Sequence, residues 1–205
     1  MNLHLRRQPS ATTRAAEGRD RRAWTVEEVE AMVRAGIIAE NERLELIGGE
    51  LVPMSPKGAF HEDVKIALNI HWARLLPPET IFATETTLRA SRIDFREPDF
   101  VVWPKAVRVA DLKPSDVQLI VEISDSSLDY DLGDKMRYYA SLGIPEYWVI
   151  EARRLVTHVF RQPSSRGFAS AVKRDHRKRL VPLHVPALAV KLADLALEPA
   201  PGTTK

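Results

Sequence analysis

The chain has 205 residues, a formal net charge of +2, 44% hydrophobic and 28% charged residues, and no cysteine. This composition is typical of a soluble globular protein, and it excludes disulfide bonds, thiolate metal sites and a cysteine nucleophile. No apolar run approaches the roughly 20 residues that span a bilayer, so we expect a cytoplasmic protein with no membrane partner.

The predicted organisation is one domain between two short terminal segments. Residues 1–22 carry six arginines among small and polar residues, without a periodic apolar face, which predicts a flexible basic arm. Residues 23–198 are predicted to form a single domain, and 199–205 a disordered tail. A second basic run, KRDHRKR at 173–179, is typical of the solvated edge of a hairpin, with a nucleic-acid contact as the alternative.

The first elements predicted in the domain are a helix, a hairpin and a second helix. Thr25 and Glu28 have the spacing of a capping box, which predicts a helix from Val26 to Ala35. The segment ERLELIGGELVPMSP alternates around Gly-Gly, which predicts a β-hairpin that ends at Pro53. Apolar residues at spacings of three and four predict an amphipathic helix over 61–76.

The next elements predicted are four strands, with a helix between the last two. The strands are expected at 80–90, 99–104, 117–124 and 146–151, and the helix near 132–142. A helix that connects two strands implies parallel neighbours, whereas the earlier strands can form a meander. A terminal hairpin, RLVTHVFRQ with RGFASAVK, follows. The expected fold class is therefore α/β, a mixed β-sheet flanked by helices.

Two carboxylates fall on consecutive buried strands of this prediction. Asp99 opens one strand, and Glu122 interrupts the apolar run LIVEIS of the next. A carboxylate in an apolar strand requires a partner. A single Mg²⁺ would serve both groups, because it takes one or two protein carboxylates and keeps water at its other positions. The alternative is a partly exposed strand end or a salt bridge to one of three arginines, Arg89, Arg92 and Arg96.

Four segments, taken in order, resemble the Uma-type family of restriction-endonuclease-like proteins in the PD-(D/E)xK nuclease superfamily. They are RLELIGGELV, EPDFVVW, LIVEISDSS and DYDLGDKMRYYASLGIPEYWVIE, and the resemblance spans roughly residues 24–165. It implies a restriction-endonuclease-like core in the order α-β-β-β-α-β, preceded by an N-terminal helix and hairpin. The order predicted from periodicity agrees with this core.

The resemblance also implies where a catalytic lysine lies. The superfamily pattern is Pro-Asp followed by Glu-x-Lys, but here the residue two positions after Glu122 is Ser124. In the family that the chain resembles, a lysine on the following helix takes this role, and Lys135 is the match. The alternative is an ordinary pair on the helix surface with Asp131, four residues earlier.

The chemistry implied is metal-dependent phosphodiester hydrolysis. Asp99, Glu122 and the Ile123 carbonyl would hold Mg²⁺ or Mn²⁺, which polarises the phosphoryl group and activates a water molecule. Lys135 would position that water or stabilise charge on the phosphate. Glu45, in the family-like hairpin, is a further catalytic candidate. Weaker candidates are Glu50, Glu85 and His61, of which His61 is more typical of a helix cap or a packed side chain. Tyr139 and Trp148 are expected to be core aromatics.

The function predicted from these residues is an endonuclease that acts on nucleic acid, with DNA as the expected partner. A homodimer is expected, because two sites cleave both strands of a duplex more readily than one. The broken Glu-x-Lys pattern keeps two alternatives open. One is a non-catalytic module that binds nucleic acid or protein on a nuclease-like fold, and the other is a structural subunit.

Overall fold

The computed structural model of this protein describes residues 22–202, which form two β-sheets and three main helices. The strands are β1 (Leu44–Ile47), β2 (Glu50–Pro53), β3 (Thr80–Thr84), β4 (Leu88–Ser91), β5 (Asp94–Arg96), β6 (Phe100–Pro104), β7 (Leu119–Ser124), β8 (Glu146–Glu151), β9 (Val156–Ser164) and β10 (Gly167–Arg174). The first two helices are α1 (Val26–Arg34) and α2 (Ala59–Leu75). No helix within the described range combines the length and the apolarity needed to cross a membrane.

The third helix, α3, is continuous but contains three segments. They are an α-helical turn at Leu128–Tyr130, a π-helical turn at Asp131–Lys135 and an α-helical part at Met136–Ser141. The sequence predicted a helix near 132–142, so the structure starts it four residues earlier. Short 3₁₀ turns occur at Val109–Asp111, Pro114–Asp116, Pro186–Leu188 and Leu192–Asp194.

The larger sheet has six strands in the order β10-β9-β8-β7-β6-β3. β7 and β8 pair in parallel across the α3 connection, as the sequence predicted, and the other neighbours are antiparallel. Helix α2, strands β3, β6 and β7, helix α3 and strand β8 follow one another in the order α-β-β-β-α-β. The predicted fold class, a mixed β-sheet flanked by helices, is therefore confirmed.

The two faces of this sheet are covered by different helices. On one face, Leu68 and Trp72 of α2 pack against Phe100 and Trp148, and all four are fully buried. Complete burial of a leucine contributes roughly 1.5–3 kcal/mol relative to exposure. On the other face, Tyr139 of α3 packs against the strands. Every residue of β7 and β8 is buried, so polar groups in them are fixed by the surrounding core.

The smaller sheet corrects one predicted strand. The segment 80–90 was expected to be a single strand, but it forms β3 in the large sheet and β4 in a separate sheet of order β2-β1-β5-β4. The chain turns at Glu85, whose φ of 53° lies in the left-handed region, and the Glu85 amide donates to the Pro98 and Asp99 carbonyls. Strand β5, which pairs with β1 and β4, was not anticipated.

The ends of the predicted domain lie at the limits of the described residues. The basic arm predicted over 1–22 lies outside them except for Arg22, whose guanidinium stacks on Trp24 at 4.2 Å. The tail predicted over 199–205 packs on the domain at its start. Ala200 is buried, and its amide donates to the Arg153 carbonyl at 2.7 Å.

Candidate active site

The two predicted carboxylates lie side by side at one end of the large sheet. Phe100, the first residue of β6, pairs with Val121 of β7, so Asp99 precedes β6 at the point where Glu122 and Ile123 continue β7. The Asp99 Oδ2 accepts a hydrogen bond from the Ile123 amide at 2.8 Å. Asp99 and Glu122 are both buried and line one cleft of about 380 Å³.

Lys135 reaches the same cleft from α3. Its Nζ lies 3.0 Å from Glu122 Oε1, 3.7 Å from Asp131 Oδ1 and 4.0 Å from Glu45 Oε1. Lys135 and Asp131 are 8% and 2% exposed, so the alternative of an ordinary surface pair is wrong. The widened π-helical turn runs from Asp131 to Lys135 and carries both side chains at the cleft.

Tyr139 lies one helical turn beyond Lys135 and fixes the Glu122 carboxylate. Its hydroxyl donates to Glu122 Oε1 at 2.9 Å. The sequence assigned Tyr139 to the core, and the side chain is indeed fully buried. The hydrogen bond was not foreseen, because a tyrosine in an apolar stripe gives no sign of where its hydroxyl points.

The hairpin of the small sheet supplies Glu45 as a second wall of the cleft. Glu45 is buried, accepts from the Glu97 amide at 3.3 Å and lies 3.5 Å from Arg96. Glu50 is exposed at the start of β2 and is not among the residues that line the cleft. The structure therefore brings one of the two hairpin carboxylates to the site.

Two side chains near the start of α2 contact the Asp99 carboxylate. The Lys57 Nζ lies 2.7 Å from Asp99 Oδ1, and His61 Nε2 lies 3.0 Å from Asp99 Oδ2. Lys57 also contacts Glu85. His61 was a weaker candidate in the sequence analysis. Lys57 was not predicted, because a lysine in a loop before a helix is ordinarily exposed to solvent.

The arginine alternative for Asp99 and Glu122 is wrong. Arg89 pairs with Glu30 at 2.6 Å, and Arg96 lies beside Glu45. The Arg92 carbonyl accepts a hydrogen bond from the Val26 amide. In the described part of the chain, a lysine and a histidine contact the Asp99 carboxylate, and a lysine and a tyrosine contact that of Glu122.

The surroundings shift the pKa values of Glu122 and Asp99 in opposite directions. Burial raises the pKa of Glu122, and the charges of Asp99, Asp131 and Glu45 raise it further against the opposing effect of Lys135, to about 8. Burial would also raise the pKa of Asp99. The hydrogen bonds and charges of His61 and Lys57 outweigh burial, however, and hold this pKa well below its usual range.

The lysine remains charged in this environment. Burial alone would lower the pKa of Lys135, but the carboxylates of Glu122, Glu45 and Asp131 outweigh it and hold the pKa well above its usual range. The cleft thus combines a permanent positive charge with carboxylates that a second cation could share.

The donor chemistry of the cleft fits a divalent cation. The Tyr139 hydroxyl and the Lys135 ammonium both contact Oε1 of Glu122. The N–H and C=O of a strand residue point to the same side, so the Ile123 carbonyl faces the same edge as its amide, which meets Asp99. Two carboxylates and a carbonyl, completed by water, suit Mg²⁺.

This donor set is sparse. Over residues 22–202, no three His, Cys, Asp or Glu side chains are gathered in a way that could hold a metal ion. Asp99 is also occupied by Lys57 and His61, so a cation would have to share this carboxylate with them or replace them. A site of this kind would depend on water for most of its ligands.

Comparisons with known proteins agree with the fold. A crystal structure described as "a putative nuclease belonging to DUF820 from Anabaena variabilis ATCC 29413" is similar, with a TM-score of 0.57 and 16% sequence identity, over 74% of this chain and 88% of that chain. At this identity the similarity shows the fold alone. A comparison with curated proteins found no match.

The family comparison reaches further. Residues 26–193 match the family model of Uma2, whose description is "Putative restriction endonuclease". The match covers the hairpin, both sheets and helices α1 to α3, and therefore every residue of the cleft described above. Because it spans well over half of the 205 residues, the chain belongs to the Uma2 family.

Proposed function

We propose that this protein is a metal-dependent endonuclease that hydrolyses phosphodiester bonds of nucleic acid, with DNA as the expected substrate. One observation carries the proposal. The Lys135 ammonium lies 3.0 Å from Glu122 although it comes from α3, while Ser124 stands where the Glu-x-Lys pattern has its lysine. A buried lysine placed among carboxylates in this way is more than a surface charge. Membership of the Uma2 family supports the same reaction class.

Each residue of the cleft has a defined part in this proposal. Asp99, Glu122 and the Ile123 carbonyl would hold Mg²⁺ or Mn²⁺, which when bound supplies a Lewis acid for the phosphoryl oxygen. The Lys135 ammonium would stabilise negative charge on the phosphate, because it is fixed in position and permanently charged. Tyr139 orients Glu122 through its hydroxyl.

Glu45 would act through Lys135. Its Oε1 lies 4.0 Å from the Lys135 Nζ, while the Glu97 amide and Arg96 hold the carboxylate in place. In this arrangement Glu45 positions the lysine and has no direct contact with the reacting atoms.

The test is cleavage by a variant that loses only the lysine charge. Lys135→Met should reduce Mg²⁺- or Mn²⁺-dependent cleavage of plasmid, single-stranded DNA or RNA by roughly 100-fold or more, the loss typical for one stabilising donor. Arg137→Met is the matched control, because Arg137 is an exposed cation on the same helix that pairs with Asp134. The control should cleave like the parent.

Metal binding by the parent distinguishes catalysis from the alternative function. A cation that binds only the folded state raises thermal stability, by about 2.7 kcal/mol at 100 times its Kd. Cleavage by Lys135→Met at the parental rate would contradict the catalytic role of the lysine. Absence of both cleavage and metal-induced stabilisation in the parent would instead favour a non-catalytic binding module.

A further inference from the structure

Lys57 occupies the side of Asp99 that faces the cleft. Its Nζ lies 2.7 Å from Asp99 Oδ1, and its side chain is only 13% exposed. The other oxygen of Asp99 is already engaged by the Ile123 amide and by His61. Asp99 Oδ1 therefore contacts the ammonium of a long side chain, whereas Oδ2 contacts donors that are fixed in the core.

The main chain holds Lys57 at this position. Gly58 follows it and forms the N-cap of α2, and a side chain at Gly58 would collide with the Asp125 carboxylate. The loop before α2 is thus pressed against the loop after β7. The backbone at Gly58 therefore lies close to the Asp125 side chain, whereas the four-carbon side chain of Lys57 can redirect its ammonium.

A second carboxylate lies within reach of the same ammonium. The Lys57 Nζ contacts Glu85 as well as Asp99. Glu85 lies at the left-handed turn between β3 and β4, and its side chain is 36% exposed. Lys57 can therefore give up Asp99 and keep a carboxylate partner.

We propose that Lys57 competes with the divalent cation for Asp99 and thereby sets the metal affinity of the cleft. An ammonium 2.7 Å from Oδ1 and a divalent cation on the same carboxylate repel each other, so cation binding shifts Lys57 towards Glu85. This inference rests on the proposed function, because it requires that Asp99 is a ligand. It goes further, since it assigns a role to two residues outside the metal-binding set.

The alternative is that Lys57 is a structural salt bridge that only neutralises Asp99. In that case its removal would destabilise the fold, as breaking a buried pair does, and would not raise metal affinity beyond the general effect of losing one positive charge. The two readings therefore differ in a binding measurement that does not depend on catalysis.

The experiment is a calorimetric Mn²⁺ titration of the parent and of Lys57→Met. Coupled sites typically change each other's affinity five- to 150-fold, so we expect Lys57→Met to bind Mn²⁺ on the order of tenfold more tightly than the parent. Lys65→Met is the matched control. Lys65 contacts Glu85 at 3.1 Å and Glu62 at 2.8 Å and is similarly buried, at 15%. The control should change the affinity much less, because Lys65 does not touch Asp99.

A second variant acts in the opposite direction. Glu85→Gln removes the alternative partner of Lys57 and should weaken Mn²⁺ binding. The weakening should vanish in the double variant Lys57→Met/Glu85→Gln, because no ammonium remains to be redirected. Glu85 is partly exposed, so Glu85→Gln keeps the inference testable if Lys57→Met does not fold.

The outcomes separate this inference from the proposed function. If the parent binds Mn²⁺ but Lys57→Met binds no more tightly than Lys65→Met, the competition is refuted and the metal site stands. An unchanged affinity in Glu85→Gln refutes it as well. If neither the parent nor any variant binds Mn²⁺, the metal site and the competition both fall.

Discussion

At the scale of single residues, Glu122 shows how a buried carboxylate is retained in a strand. It is 4% exposed in a strand whose every residue is buried. An uncompensated charge there would be strongly unfavourable. The Lys135 ammonium offsets part of that desolvation, but burial, together with the charges of the three neighbouring carboxylates, still raises the pKa of Glu122 to about 8. The residue is thus held near the point at which it gains or loses its proton.

This raised pKa makes a prediction for the metal-free protein. Above the usual pKa of 4.5, the folded state keeps a proton on Glu122 that the unfolded state releases. The stability contributed by that proton is complete below 4.5 and is lost as pH rises through about 8. At roughly 1.4 kcal/mol per unit of pKa difference, the loss is on the order of 5 kcal/mol.

Glu122→Gln isolates this contribution, because glutamine does not titrate. The measurement is chemical denaturation in a chelating buffer. As pH rises from 5 to 9, the free energy of unfolding of the parent should fall relative to that of Glu122→Gln. Titrating groups that do not interact with Glu122 cancel in the difference. A difference that stays constant over this range would mean that Glu122 ionises normally in the folded protein.

At the scale of elements, the sequence predicted those parts of the fold that depend on local pattern. The capping box at Thr25, the Gly-Gly hairpin and the apolar strand at 146–151 are visible within a few residues, and the structure has them at nearly the predicted bounds. The single strand predicted over 80–90 was wrong. The break at Glu85 depends on hydrogen bonds to Pro98 and Asp99, which are distant in sequence.

The candidate site was predictable to the same extent. Asp99 and Glu122 follow from buried strands, and the placement of Lys135 followed from a family resemblance. The burial of both Asp131 and Lys135 could not be predicted from a regular helix that begins at 132. Their burial accompanies a π-helical turn, and such a turn has no simple sequence signature. Lys57 could not be found, because its contact with Asp99 joins residues 42 apart.

The register of the large sheet leads to a prediction about the basic segment 173–179. Glu122 pairs with Val149, Val149 with His158, and His158 with Lys173. The segment therefore starts at the same end of the sheet as the cleft, three strand spacings or about 14 Å from Glu122. With a net charge of only +2, attraction to nucleic acid has to come from local surfaces of this kind.

Removing three exposed cations of this segment should weaken nucleic-acid binding. Each lost phosphate contact lowers the slope of log K against log salt by about 1, so Arg177→Gln/Lys178→Gln/Arg179→Gln should reduce the slope by up to about 3. Fluorescence anisotropy over a salt series, with Ca²⁺ in place of Mg²⁺ to prevent cleavage, measures it.

A matched variant controls for total charge. Lys105, Arg108 and Lys113 are exposed and follow β6, at the end of the sheet opposite to Asp99. Their replacement by glutamine removes the same three charges and should leave the slope nearly unchanged. Equal effects of the two triple variants would show that the basic segment has no specific part in binding.

At the scale of the whole molecule, the cleft is assembled from both sheets and two helices. Glu45 comes from the small sheet, Asp99 and Glu122 from the large one, Lys135 from α3, and His61 from α2. Each of these residues is less than 10% exposed, so their relative positions are set by the packed core and not by flexible loops. Stability and a preorganised site are therefore expected to be lost together on unfolding.

The presence of one such cleft in the described part of each chain leads to the prediction of a homodimer. The two strands of a DNA duplex run in opposite directions, and two chains related by a two-fold axis present one cleft to each strand. Sedimentation equilibrium should then give a mass of about 46 kDa, twice the 23.1 kDa of the chain. Supercoiled plasmid should become linear without accumulation of nicked circles. A mass of 23.1 kDa together with nicked circles as the main product would show that the protein acts as a monomer, with each cleft cutting a single strand independently.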